Sequence, residues 1–215
     1  MNPWDITAEK LRRTLEHRLP RKSTSSSVLV PLLQKHGEWH ILFMVRSRTV
    51  SQPGEVCFPG GHVENNESSF EAVLRETCEE IGLQASDVEI LGGLPRERSQ
   101  GIYLVRPFVG YIQEEALHHI KTSSEVASLF TAPLEYFMSV QPQKYRYKLE
   151  IPKDRTLPPI LQRHLGVEKP YGLTLYWEYR GHGIWGLTAR ILQNLLTVVE
   201  NCRTLQIESA DSPES

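Results

Sequence analysis

Cysteine is scarce. The chain holds three, Cys57, Cys78 and Cys202, in 215 residues, and they form neither a CxxC pair nor a disulfide framework. That excludes a small cross-linked secreted fold and favours a reducing compartment. No apolar run reaches the roughly 18 residues that a membrane-crossing helix needs, so no membrane partner is expected. An excess of one charge is missing too: 24 Lys and Arg stand against 26 Asp and Glu, a formal net charge of −2. Such a chain has no long-range field with which to gather nucleic acid or an anionic lipid surface, and no nucleic-acid partner is expected. The eight histidines show no zinc-ligand spacing; His118-His119 and His182 read as surface loop residues. The N-terminal stretch MNPWDITAEKLRRTLEHRLPRKSTSSS lacks the apolar core of a secretory signal, and Asp5, Glu9 and Glu16 argue against a transit peptide. The last residues, SPES, are no peroxisomal address. The expected location is cytoplasmic.

What remains is an ordinary globular composition, 40% hydrophobic and 23% charged, suited to one domain with a short appendage. Residues 1–26 are expected to form an N-terminal helix and linker, 27–205 the main domain, and 206–215 a frayed polar tail. In the first segment, Ile6, Leu11 and Leu15 suggest an amphipathic helix over 6–18 with Thr7 as its cap. Stretches 27–33 and 39–46 read as a β-hairpin around Lys35-His36-Gly37. Strands are expected at 88–95 and 102–112. Residues 123–138 are expected to contain a helical or turn-rich stretch, with Pro133 breaking any continuous helix. Five prolines, Pro142, Pro152, Pro158, Pro159 and Pro170, exclude a long helix over 139–170 and leave loops around a short strand at 145–151. Two strands should flank the turn at 180–183. A final helix over 187–202 places Ile191, Leu195, Val198 and Val199 on one face. Self-association as a homodimer stays open.

The stretch GGHVENNESSFEAVLRETCEEIGL, from Gly60 to Leu83, is unusual for its carboxylates. Ser68 and Glu71 form a capping box, and Gly82 suits a left-handed helix end, so a helix is predicted between them. Around it, Phe70, Val73, Leu74, Thr77 and Ile81 share one side. Glu76, Glu79 and Glu80 fall within about 100° of arc on the other. Ala72 lies on that acidic side, small enough to leave room for a ligand. Two readings follow. A solvated acidic face is tolerable, since like charges one turn apart cost only about 0.2–0.5 kcal/mol per pair, and Arg75 relieves part of it. Alternatively, the backbone at Pro59-Gly60-Gly61 can approach a ligand closely, and a hard divalent cation bound through oxygen would neutralise the cluster.

Gly61, five residues, Glu67, seven residues, then Arg75-Glu76-Thr77-Cys78-Glu79-Glu80-Ile81-Gly82-Leu83 resembles the Nudix box, G-x5-E-x7-R-E-U-x-E-E-x-G-U. Thr77 stands at a position that the pattern gives to a bulky apolar residue. The resemblance implies an α/β fold, the Nudix α/β/α sandwich with a mixed β-sheet between helices. It implies Mg²⁺ or Mn²⁺ as cofactor, with Glu76, Glu79, Glu80 and the Gly61 carbonyl as metal ligands. Catalytic roles fall to Glu76, Glu79 and Arg75, the last orienting a carboxylate, while Glu67 supports the loop or an outer-shell water. The general base stays open among Glu76, Glu79 and Glu125, although Glu125 reads as a surface charge.

The segment before the box, residues 42–61, is similar to that of coenzyme A diphosphatases. Leu42, Arg46, Ser47, Gly54 and Phe58-Pro59-Gly60-Gly61 match their pattern, with Met44 in place of a threonine. The resemblance implies that Arg46 and Arg48 grip substrate phosphate, against the alternative of two solvated charges at a strand end. Arg96, Arg98 and Arg106 are further candidates. GHGIWGLTA, residues 181–189, is similar to a C-terminal part of the same enzymes, where Trp185 is expected to pack the start of the last helix. Cys57 and Cys78 read as buried structural thiols. The expected function is metal-dependent hydrolysis of the pyrophosphate of coenzyme A or acyl-CoA, a small-molecule substrate, to 3′,5′-ADP and (acyl-)4′-phosphopantetheine. The alternatives are a Nudix hydrolase of ADP-ribose or another nucleoside diphosphate derivative, and a non-catalytic Nudix ligand sensor.

Overall fold

Strand β1 (Ser26–Lys35) turns back into β2 (Glu38–Arg46) as the expected hairpin. The turn residues His36 and Gly37 have φ of 52° and 81°, the left-handed pair whose twist matches the flanking strands. This computed structural model describes residues 7–10, 12, 26–99, 103–148 and 171–210. β1 also pairs in parallel with β7 (Tyr103–Ile112), which makes the sheet mixed. β5 (Val88–Gly93) and β6 (Glu97–Ser99) run antiparallel to β7. β3 (Val56–Cys57) and β8 (Val126–Pro133) pair with β2, and β4 (Gly60–His62) with β1. Together these form one eight-stranded sheet.

Side chains along its central strands alternate between two separate cores, as a strand period of two requires. Val30, Leu32, Ile41, Phe43 and Val109 enter one; Leu29, Leu33, Leu42, Met44 and Phe108 enter the other. Helix α1 (Ser69–Ile81) covers the second core with Val73 and Ile81. After the short helix α2 (Leu134–Ser139), the long helix α3 (Gly186–Ala210) covers the first with Ile191, Leu192, Leu195, Val198 and Val199. The result is the expected α/β/α sandwich around a mixed sheet. A second, antiparallel sheet of β9 (Gln143–Lys148), β10 (Tyr171–Tyr179) and β11 (His182–Trp185) joins the α3 side. Its anchor is Trp177, which is 2% exposed and donates from Nε1 to the Val140 carbonyl at 2.8 Å.

Several expectations change. The helical stretch expected within 123–138 is α2, while residues 126–133 form a strand that was not expected, because they pair with β2 in the register Phe43↔Phe130 and Ile41↔Ala132. Pro133 closes that strand and opens α2. The strand expected at 88–95 stops at Gly93, and the Leu94 N–H turns to the Pro107 carbonyl at 2.9 Å. The last helix continues to Ala210, past the point where a frayed tail was expected. Of the expected N-terminal helix, residues 8–10 and 12 are helical, and the Lys10 N–H donates to the capping Thr7 Oγ1 at 3.3 Å. Ala8 packs against the first core, and the Cys202 thiol of α3 meets the Lys10 carbonyl. The remainder of 6–18, the linker as far as Ser25, and Pro152, Pro158, Pro159 and Pro170 lie outside the described residues. Among the described residues no helix is long and apolar enough to cross a membrane.

Candidate active site

Local hydrogen bonding sets both ends of α1. The Glu71 N–H donates to Ser68 Oγ at 3.2 Å while the Ser68 N–H donates to Glu71 Oε2 at 2.7 Å. At the other end Gly82, with φ of 75°, donates to the Cys78 carbonyl. Between the caps, the face that the helix buries is rotated from the expected one. Phe70 is 46% exposed, whereas Ala72 is fully buried and Glu80 is 6% exposed. The cause is β4, which runs beside the helix as a strip of bare backbone. A Cβ on Gly60 would stand 2.3 Å from the Ser27 carbonyl oxygen, and one on Gly61 would stand 2.4 Å from the Glu76 carboxylate. Gly61 therefore admits the Glu76 side of the helix, while Gly60 admits the close approach of β1. Ala72 is fully buried, so it leaves no open ligand space. Thr77 fits its apolar position because its hydroxyl donates to the Val73 carbonyl at 2.7 Å.

Arg75 gathers the carboxylates. Its guanidinium donates to Glu67 at 2.8 and 3.2 Å, to Glu76 at 3.1 Å, to Glu79 at 3.2 Å and to the His62 carbonyl at 3.1 Å. Glu67 in turn accepts the Glu64 N–H at 2.7 Å, and Arg75 followed by that N–H holds its carboxyl below the ordinary range. Glu80 stands apart and accepts the Gly60 N–H at 2.8 Å. Burial pushes its carboxyl up to about 7, helped by the charges of Glu76 and Glu125 and opposed by the Gly60 N–H and Arg46. Burial likewise raises Glu76, with Arg75 opposing and Glu79 and Glu125 adding to the rise. Glu125, read from sequence as a surface charge, is thus a neighbour of the acidic face. It arrives there because β8 pairs with β2, and its carbonyl accepts the Ser47 N–H at 2.8 Å. Nothing in SSEVASLF announces that position.

A cavity of about 460 Å³ adjoins this cluster, and Gly60 and Arg46 are part of its wall. Arg46 donates from Nε to the Ser51 carbonyl at 2.7 Å. Arg48 is exposed and lies outside the lining. The other arginine candidates, Arg96, Arg98 and Arg106, are not among its lining residues: Arg106 is packed over the Phe108 ring at 4.9 Å, and the Arg98 carbonyl accepts from Arg190, which does line the cavity, at 2.7 Å. Trp185 does not pack the start of α3; it is 44% exposed and lines the cavity. Thr188 makes the anchor instead, donating to the Val56 carbonyl at 3.0 Å. His182 stacks on Phe130 with ring centroids 4.0 Å apart. All three cysteines are free. Burial pushes the Cys57 thiol up to about 11, so it stays protonated and unreactive at neutral pH.

Among the described residues no three His, Cys, Asp or Glu side chains already stand together as an ion site. Arg75 occupies the space between Glu67, Glu76 and Glu79, and Glu80 is turned to Gly60. The donor chemistry still fits a hard cation. Glu76 and Glu80 are held above the ordinary carboxylate range by burial and like charge, the condition that an added positive charge relieves.

A family model described as the NUDIX domain matches residues 24–145. The chain belongs to the Nudix family. Its sandwich is the Nudix fold, and its carboxylate helix is the Nudix box. The Nudix chain is 35% identical over 186 residues to Nudix hydrolase 3 of Caenorhabditis elegans, covering 82% of this chain and 74% of that one. It is 38% identical over 128 residues to the peroxisomal coenzyme A diphosphatase NUDT7 of Mus musculus, covering 59% of this chain and 53% of that one. An uncharacterised Nudix hydrolase, NudL of Enterobacter sp. (strain 638), is 32% identical over 202 residues, 91% of this chain and 96% of its own. This is a Nudix hydrolase, an enzyme of the diphosphatase class.

Proposed function

We propose that this Nudix hydrolase cleaves the diphosphate of coenzyme A or an acyl derivative, yielding 3′,5′-ADP and 4′-phosphopantetheine or its acyl form. One observation carries the reading: the Gly60 peptide that holds the Glu80 carboxylate also lines a cavity of about 460 Å³. A diphosphate lying at the acidic face leads its organic substituent into that space. Coenzyme A as the substrate class is supported by the pattern over residues 42–61 and by the likeness to the mouse coenzyme A diphosphatase.

In this reading Glu76, Glu79, Glu80 and the Gly61 carbonyl would hold Mg²⁺ or Mn²⁺. The ion would supply neutralisation of the diphosphate oxygens and activation of a water at neutral pH. Arg75 keeps Glu76 and Glu79 oriented through the bonds described above. Arg46 and Arg48 are the proposed phosphate contacts, with Arg46 at the cavity wall. Glu125 joins Glu76 and Glu79 as a proposed acceptor for the proton of the attacking water. The proposed compartment is the cytoplasm, in keeping with three free thiols.

The test is a parallel incubation with Mg²⁺ or Mn²⁺ and coenzyme A, ADP-ribose or NADH, with products resolved chromatographically. Preferential release of 3′,5′-ADP from coenzyme A is the expected result. Turnover of ADP-ribose or NADH alone replaces this substrate, and tight binding without products makes the protein a sensor.

A further inference from the structure

The cavity has two walls of different origin. One comes from the residues matched by the Nudix family model, 24–145, and includes Val28, Arg46 and Phe58. The other comes from beyond that match, from β9, β10, β11 and the start of α3, and includes Tyr147, Leu173, Thr174, Trp185 and Leu187. The second lies outside the residues that the family model matches, and two of its side chains are costly as bare surface: Leu173 is 55% and Trp185 44% exposed. Large apolar side chains left open beside a cavity mark a place where something apolar binds.

The chemistry of the lining narrows the occupant. Arg190, the cation on the second wall, is already paired with Glu97 at 2.9 Å and donates to the Arg98 carbonyl at 2.7 Å. Among the described residues, that wall therefore offers no unpaired charge to a second phosphate. Gln52, Ser99 and Thr174 add polar atoms between the apolar groups. An uncharged chain with a few amides and an aliphatic end meets both kinds of surface, and a phosphorylated nucleoside does not.

We infer that the second wall is a selectivity subsite for the acylated pantetheine arm, with Leu173, Trp185 and Leu187 receiving its aliphatic end. This deepens the function proposed above and rests on it for the identity of the arm. The subsite decides which acyl-CoA is preferred, while the acidic helix decides that a diphosphate is cut.

The experiment measures binding of S-acetyl-, S-hexanoyl- and S-decanoyl-pantetheine to the full chain by calorimetry, beside coenzyme A turnover. In the wild type, affinity should rise about threefold to fourfold for each methylene buried until the slot is filled. Leu173→Arg should abolish that dependence, and Trp185→Ala should reduce it. Both positions are exposed, and melting curves check that each variant folds. A flat wild-type series, or an unchanged slope in Leu173→Arg, overturns the inference. If the series rises but coenzyme A is not cleaved, the subsite stands and the substrate reading falls. If coenzyme A is cleaved and the series is flat, the reading stands and the subsite falls.

Discussion

Glu80 bears a carboxylate in a place that water hardly reaches, and burial there raises its pKa from 4.5 to about 7. The folded chain then holds a proton that the unfolded chain releases, so the fold loses stability as pH climbs from about 4.5 through about 7. Glu80→Gln keeps an acceptor for the Gly60 N–H but has no charge to bury. Without added metal, this variant should melt above the wild type at pH 8 by an amount on the order of 1–3 kcal/mol. The gap should close at about pH 4.5. Turnover with Mg²⁺ should meanwhile fall by about 100-fold or more. Equal melting at pH 8, or near-normal turnover, removes Glu80 from the assigned role. The residue types and spacing of this site were legible in the sequence, since they recur along one helix. Glu125 was not, because its approach depends on strand pairing between segments far apart in the chain.

Helix α1 was readable to the residue at both ends because its caps are contacts between near neighbours, Ser68 with Glu71 and Gly82 with Cys78. Its buried face was not, since β4 decides which side is covered. The two glycines that matter here should respond differently to alanine. In Gly61→Ala the new methyl meets the movable end of Glu76, so turnover should drop at least about tenfold with little change in the urea midpoint. In Gly82→Ala the methyl meets the Lys121 backbone at 3.0 Å at a φ of 75°, and stability should fall by about 1–2 kcal/mol. Urea titration and steady-state rates on both variants separate the two effects. β8 escaped notice for another reason. A short apolar run such as SLFTAP fits helix and strand alike, and only its ladder to β2 selects the strand.

The layers are joined through Phe43. Its ring stacks on Phe58 at 5.1 Å and Phe130 at 5.2 Å and meets the Phe137 edge at 5.8 Å. That ties β2 to the loop before β4, to β8 and to α2. Phe43→Ala should cost about 3–5 kcal/mol, because the three remaining rings, from three segments, cannot all close the gap. A urea midpoint within error of the wild type would mean that the stack relaxes freely. The α/β/α order came from the resemblance of the carboxylate helix to the Nudix box; the coarse order of strands and helices agrees with it but does not by itself specify it, since many layered folds share such an order. The outward placement of Trp185 was not readable, since an aromatic beside a helix start fits a core or a cavity wall equally well.

By itself the sequence determined the helix with its caps, the carboxylate spacing and the hairpin, all products of hydrogen bonds and periodicity within a few residues. Only the tertiary structure decided that Glu80 is buried, that Glu125 stands beside the acidic face and that Trp185 borders a cavity. These depend on which distant segments pair and exclude water, and local propensity carries no record of that.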